Sequence, residues 1–194
     1  VVPHDGIASL VATAVDCMGL EPTSHVLQFA SIGFDVFVFE LAMALCHGGR
    51  LVLIPEEARV AGTALTDFLR EQAVTHLILP PSLVSALPPE AELPRGSTIL
   101  VGTETVPPDL IDRWAGKLNL IAAYGLTEAT VNSTLWPAKQ GWRGPVPIGV
   151  PDPNTVCYVL DRAPAPGAAG RGRRAVRGGP GTRPRVPRQA RLTA

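Results

Sequence analysis

Thr98-Ile99-Leu100-Val101-Gly102-Thr103-Glu104 and Leu120-Ile121-Ala122-Ala123-Tyr124-Gly125-Leu126-Thr127-Glu128, with a helix-like window over 108–118 between them, decide the fold. Each apolar run is short enough for a strand and breaks off into small or polar residues. A strand, a helix and a second strand in that order imply a right-handed crossover between parallel neighbours. Ligands bind such sheets beyond the carboxyl ends of the strands, which directs attention to Gly102–Glu104 and to Tyr124–Glu128.

The same alternation runs through the rest of the chain. Ile7, Leu10, Val11, Ala14, Val15 and Met18 recur at spacings of three and four, which predicts an amphipathic helix over 7–20. Further strands are predicted at 26–29, 50–54, 76–79 and 155–160. Helices are predicted over 36–46, closed by Gly48-Gly49, over 64–73, and briefly at Pro80-Pro81-Ser82, where proline suits a first turn. The expected class is α/β, a mostly parallel sheet with helices on both faces. A third strand end, Phe34-Asp35, joins the two above as a place to look for function.

Composition bounds the reading. A chain of 194 residues, 46% hydrophobic, can bury one sizeable core. No apolar run nears the roughly 20 residues that cross a bilayer. The start, Val1-Val2-Pro3-His4-Asp5, lacks the layout of a signal peptide. A soluble, cytoplasmic chain without a membrane partner is expected. Cys17, Cys46 and Cys157 sit apart in apolar surroundings and predict buried free thiols, and neither they nor the four histidines show ligand spacing. The net charge of zero averages two unlike pieces. Residues 1–161 hold all 17 acidic residues against eight basic ones, and 162–194 hold nine arginines and no acid.

Tyr124-Gly125-x-Thr127-Glu128 offers an aromatic face, a glycine, a hydroxyl and a carboxylate at a strand end. Those groups suit a nucleotide with magnesium. They equally suit a strand end followed by a Thr-capped helix start with an acidic first turn. Asp35 likewise reads either as a ligand-pairing carboxylate or as a helix N-cap ahead of Val36.

Ala123-Tyr124-Gly125-Leu126-Thr127-Glu128 resembles the Ala-Tyr-Gly-Pro-Thr-Glu signature of the amino-acid adenylation domains of nonribosomal peptide synthetases. Phe29-Ala30-Ser31-Ile32-Gly33-Phe34-Asp35-Val36-Phe37-Val38-Phe39-Glu40 resembles the same family's Phe-Asp-x-Ser-Val-x-Glu segment. Leu79-Pro80-Pro81-Ser82 resembles its Pro-Pro turn, and Val146 to Pro151 followed by Asn154-Thr155 its later Pro-Ile-Gly-x-Pro element. The resemblance covers 1–161 and implies part of the large N-terminal subdomain of an adenylate-forming enzyme.

What it implies about roles follows residue by residue. ATP would be held by Gly102, Thr103, Glu104, Tyr124, Gly125 and Thr127, with Tyr124 stacked on adenine and Thr127 on phosphate. Glu128 would bind Mg²⁺, and Thr127 and Glu128 would carry the catalytic contacts. Asp35 would pair with the amino acid's α-ammonium. Val36, Phe39, Ile78, Leu100, Gly102, Ala123, Val131 and Asn132 would read its side chain. That lining carries no charge, which implies a bulky apolar or aromatic amino acid. The reaction implied is attack of the amino-acid carboxylate on the α-phosphate of ATP, giving aminoacyl-AMP and pyrophosphate. Transfer to the phosphopantetheine thiol of a peptidyl carrier domain follows, beside a condensation domain. The same fold also serves acyl-CoA and aryl-acid ligases, and a non-catalytic nucleotide-binding module is the reading from another class.

Leu126, Phe37 and Thr103 replace the family's usual Pro, Ser and second Gly. The family's phosphate loop, ribose-binding Asp and catalytic Lys find no match, so the stretch by itself is expected to be inactive. In the tail, Gly172-Arg173-Arg174-Ala175-Val176-Arg177 stands where the family has Gly-Glu-Leu-Tyr-Val. Codons CGG-CGA-GCT-GTA-CGT encode Arg-Arg-Ala-Val-Arg, and the same bases read one position later give Gly-Glu-Leu-Tyr-Val. We therefore expect 171–190 to be read out of frame and the Arg-rich, Pro-rich segment 162–194 to be disordered. On that reading the tail binds no nucleic acid; a basic nucleic-acid-binding arm is the alternative.

Overall fold

The structure, a computed structural model, describes residues 2–160 and 174–178. Five parallel strands form its centre: β1 (His25–Gln28), β2 (Arg50–Leu53), β3 (His76–Leu79), β4 (Thr98–Val101) and β5 (Asn119–Tyr124). They lie in the order β2-β1-β3-β4-β5. Two further strands, β6 (Thr134–Pro137) and β7 (Val150–Pro151), extend the sheet antiparallel beyond β5. The sequence reading did not include these two. The α/β, mostly parallel expectation holds.

The strands are buried on both faces, and their side chains alternate between two cores. Leu77, Leu79, Ile99, Val101, Leu120 and Ala122 face one side. There they meet Leu65 and Leu69 of α3 (Thr63–Glu71), Val84 of α4 (Pro81–Ser85), and Leu110, Ile111 and Trp114 of α5 (Pro108–Trp114). Val26, Ile78, Leu100 and Ile121 face the other. They meet Leu10, Ala14 and Met18 of α1 (Ile7–Met18) and Phe39, Met43 and Ala44 of α2 (Asp35–Leu45). The nine buried Leu, Ile and Val side chains among these, on four adjacent strands, would each contribute up to about 1.5–3 kcal/mol relative to exposure, before chain entropy is set against them.

Local signals account for most boundaries. α1 stops where Gly19 takes a left-handed conformation (φ 69°), two residues before the expected end. α5 stops four residues early because the Lys117 and Leu118 amides both fold back onto the Trp114 carbonyl. The N-cap of α2 is Phe34, and Asp35 is its first helical residue with no capping hydrogen bond, so the N-cap role is not the one it fills. Cys17 and Cys157 are only half-buried and Cys46 is exposed, a correction to the buried thiols expected from composition. Cys17 packs at the margin of the α1/α2-side core, and Cys46 follows the last residue of α2.

β8 (Val156–Leu160) pairs antiparallel with β9 (Arg174–Gly178), from Val156↔Gly178 to Leu160↔Arg174. That pairing uses backbone groups, which every residue carries whatever its side chain. The remainder of the tail lies outside the described residues.

Candidate functional site

Parallel neighbours place the carboxyl ends of β1, β3, β4 and β5 along one edge of the sheet. Four connections emerge there: 29–34 ahead of α2, Pro80-Pro81-Ser82, Gly102–Glu104 and Gly125–Glu128. The strands are register-matched, with Ile78 opposite Leu100 and Val101 opposite Ala122, so these segments lie side by side.

The predicted side-chain readers gather on one face. Phe39, Ile78 and Leu100 belong to the α1/α2-side core, and Val36, Ala123 and Val131 pack against it. Alternation along β4 sends Gly102 to the same side as Leu100. A Cβ on Gly102 would come within 2.8 Å of the Ala123 carbonyl oxygen, so only glycine lets this strand end lie against β5. Asn132 is buried, and its Nδ2 has no hydrogen-bond partner among the described residues. It lines a shallow surface cleft together with Gly6, Ser9, Thr13, Thr130 and Asp152. Asp35 stands half-buried one residue ahead of Val36.

The nucleotide-side candidates are more open. Tyr124 and Gly125 are half-buried, and Thr103, Glu104, Thr127 and Glu128 are exposed. Gly125 is pinned, since a Cβ there would fall 2.0 Å from the Val131 carbonyl oxygen. Thr127–Ala129 forms a single 3-10 turn whose N-cap is Leu126, so Thr127 does not cap a helix. The chain then enters two left-handed residues, Thr130 (φ 64°) and Val131 (φ 65°). The Asn132 amide donates to the Thr130 carbonyl at 2.9 Å, which makes Val131 the centre of a strained γ-turn. Thr103 is left-handed as well, at φ 72°, and the hydroxyl of Ser82 donates to the Glu104 carboxylate at 3.0 Å. Glu128 makes no ion pair among the described residues. An exposed carboxylate at a parallel-sheet edge fits Mg²⁺, which takes one or two carboxylates plus phosphate oxygens.

Glu40 closes the Phe-Asp segment quoted above, but the sequence reading gave it no role. It is wholly buried in α2 at 0% exposure and is bonded to the chain just after β1. The Ala30 amide donates to both carboxylate oxygens, at 3.0 and 3.1 Å, and Gln28 Nε2 donates to Oε2 at 3.3 Å. Burial pushes its pKa up to about 7, against the opposing pull of the Ala30 and Phe29 backbones, Gln28 and the nearby Arg59. The available signal was one acid between Phe39 and Leu41 in an otherwise apolar helix.

A sequence profile described as AMP-binding enzyme matches residues 1–179. A protein of Salinispora arenicola described as a "probable non-canonical nonribosomal peptide synthetase", CymA, is 44% identical over 170 residues, 88% of this chain and 2% of that protein. The N-terminal subdomain of NpsA from Klebsiella oxytoca, solved with 3-hydroxybenzoyl-AMSN, superposes with a TM-score of 0.76. It is 26% identical, and the match covers 92% of this chain and 45% of that one. A holo four-domain nonribosomal peptide synthetase bound to AMP and glycine superposes with a TM-score of 0.73 at 27% identity, over 84% of this chain and 12% of that one. The chain thus spans a small share of the proteins it matches. With its parallel sheet, its glycine-pinned strand ends and a profile match over most of its length, the chain belongs to the AMP-binding enzyme family.

Proposed function

We propose that this chain is the substrate-side and adenine-side part of an ATP-dependent, amino-acid-adenylating ligase acting in the cytoplasm within nonribosomal peptide synthesis. The observation that carries the reading is the apolar cluster of Val36, Phe39, Ile78, Leu100, Ala123 and Val131 beside the half-buried Asp35. A carboxylate next to an uncharged pocket suits the ammonium group of an amino acid with a bulky apolar or aromatic side chain. Tyr124, Gly125, Gly102, Thr103 and Glu104 hold the adenine side, and Thr127 contacts phosphate. Glu128 would hold Mg²⁺, which when bound would supply neutralisation of phosphate charge. These groups position and neutralise, and none forms a bond to the substrate. The acyl group then passes to the phosphopantetheine thiol of a peptidyl carrier domain, with a condensation domain as the next partner.

Amino-acid-dependent exchange of pyrophosphate into ATP by the full-length gene product tests the reading. Exchange is expected with one or a few large apolar amino acids and lost in Asp35→Ala. Exchange driven instead by an acid lacking the α-amine would favour the aryl-acid reading, to which the aryl-adenylate analogue bound in NpsA lends weight. No exchange with any amino acid or aryl acid would refute both.

A further inference from the structure

We propose that Glu40 is a positioning residue: by clamping the connection between β1 and α2 it fixes where Asp35 stands, and so sets the affinity for the amino acid. The proposal rests on the adenylating reading above, because it takes Asp35 as the ammonium partner.

Three sets of contacts converge on this connection. From α2, both Glu40 carboxylate oxygens take the Ala30 amide. From β1, Gln28 Nε2 bridges Glu40 at 3.3 Å and the Ala30 carbonyl at 2.6 Å. From the segment after β2, Arg59 donates to the Phe29 carbonyl and lays its guanidinium over the Phe29 ring, 5.6 Å from the centroid. Phe29 and Ala30 are thus held by an acid, an amide and a cation on three different elements. Beyond Ala30 the chain is held by local turn bonds, the Phe34 amide donating to the Ser31 carbonyl at 2.9 Å and the Gly33 amide to the Ser31 hydroxyl at 3.4 Å. Ser31, Ile32, Gly33 and Phe34 are exposed, and Ile32 and Phe34 stand 82% and 67% open. Asp35 follows at once, so its carboxylate is located by the anchor at Phe29-Ala30 on one side and by α2 on the other.

A buried carboxylate costs several kcal/mol of desolvation unless its hydrogen bonds are good. A purely apolar residue buried at position 40 would not carry that cost. A sequence that keeps the acid instead gains a hydrogen-bonded tether that a leucine could not supply. The Glu40 carboxylate is wholly buried and taken up by the Ala30 amide and Gln28 Nε2, so on this proposal its effect is carried by geometry.

The test uses Glu40→Gln and Arg59→Ala in the full-length gene product, with amino-acid KM and ATP KM measured separately by pyrophosphate exchange. Glutamine keeps the shape but turns a donor toward the Ala30 amide or the Gln28 amide. The expected result is a rise of roughly tenfold or more in amino-acid KM, equal to the loss of about 1.4 kcal/mol of binding, with ATP KM changed less than about twofold. Arg59→Ala, on the outer side of the clamp, should move the same parameter in the same direction by a few fold. It keeps the question open to experiment if Glu40→Gln does not fold. Hydrogen exchange should show faster exchange of the 29–34 segment in both variants. Unchanged amino-acid KM, or equal rises in both KM values, overturns the proposal. A wild-type protein without amino-acid-dependent exchange overturns the adenylating reading instead, and the hydrogen-exchange arm then still reports whether the clamp exists.

Discussion

Replacing Gly125 by alanine puts a number on the close approach at the end of β5. The added Cβ would lie 2.0 Å from the Val131 carbonyl oxygen, 2.8 Å from the Val131 carbonyl carbon and 2.7 Å from the Asn132 Cα, all of them backbone atoms. No rotamer change relieves the overlap, so the 130–133 turn must retreat by about 1.4 Å to reach an ordinary contact. That turn holds the γ-turn bond from the Asn132 amide to Thr130, and the Ser133 amide donates to the Tyr124 carbonyl at 2.9 Å. Overpacking costs roughly 1–3 kcal/mol. A lost backbone hydrogen bond adds about 1 kcal/mol. The stiffer unfolded chain returns roughly 0.4–1 kcal/mol. The expected net loss is about 2–3 kcal/mol, read as a lower urea midpoint with an unchanged slope. Gly33→Ala is the control. Its Cβ would meet nothing nearer than the Ser31 hydroxyl at 3.9 Å, so no loss is expected and a small gain is allowed. Equal midpoints for the two variants would refute the reasoning, since it rests on the difference between their surroundings.

Thr103 carries a β-branched side chain at φ 72°, where the resembling family has glycine; Thr103→Gly should raise stability by roughly 1 kcal/mol in the same melts, and a loss would show that the side chain is held by something stronger than its strain. Glu40 has its pKa raised from 4.5 to about 7, so the native state binds the proton more tightly than the unfolded chain and stability falls as pH rises between those values, by about 3 kcal/mol in all. Buried His76, whose pKa burial lowers, acts in the opposite sense below its ordinary value of 6.5, so the informative quantity is the wild-type curve minus the Glu40→Gln curve, and a flat difference would contradict the burial argument. Glu128→Gln in the full-length gene product should raise the Mg²⁺ concentration for half-maximal pyrophosphate exchange by roughly tenfold, the loss of about one charge-assisted ligand, and an unchanged requirement would remove Glu128 from the metal site. Sequencing the gene checks the tail: codons for 173–177 that cannot yield Gly-Glu-Leu-Tyr-Val one base later would sink the out-of-frame reading.

Features with a short period were legible in the sequence, and features made by distant residues were not. His76–Leu79 and Thr98–Val101 were read to the residue because each is an apolar run between polar or turn-forming residues. β6 and β7 were missed because Thr134–Pro137 and Val150–Pro151 are short, end in proline and lie in a turn-rich stretch. They become strands through pairing with β5 and with each other, antiparallel, which no local pattern announces. Residue type at Thr127 suggested a helix cap, yet the chain turns left-handed at Thr130 after a single 3-10 turn and no helix follows. The site shows the same division. Alternation along β3, β4 and β5 sends Ile78, Leu100 and Ala123 to one face, so that much was implicit in a two-residue period. That Asn132 Nδ2 finds no partner among the described residues at the neighbouring cleft, or that Glu40 reaches back ten residues to the Ala30 amide, depends on a crossover closing in space. An acid in an apolar helix is a local anomaly whose explanation is non-local. Its meaning at position 40 became readable only once the carboxylate was seen to hold the chain segment that leads into Asp35.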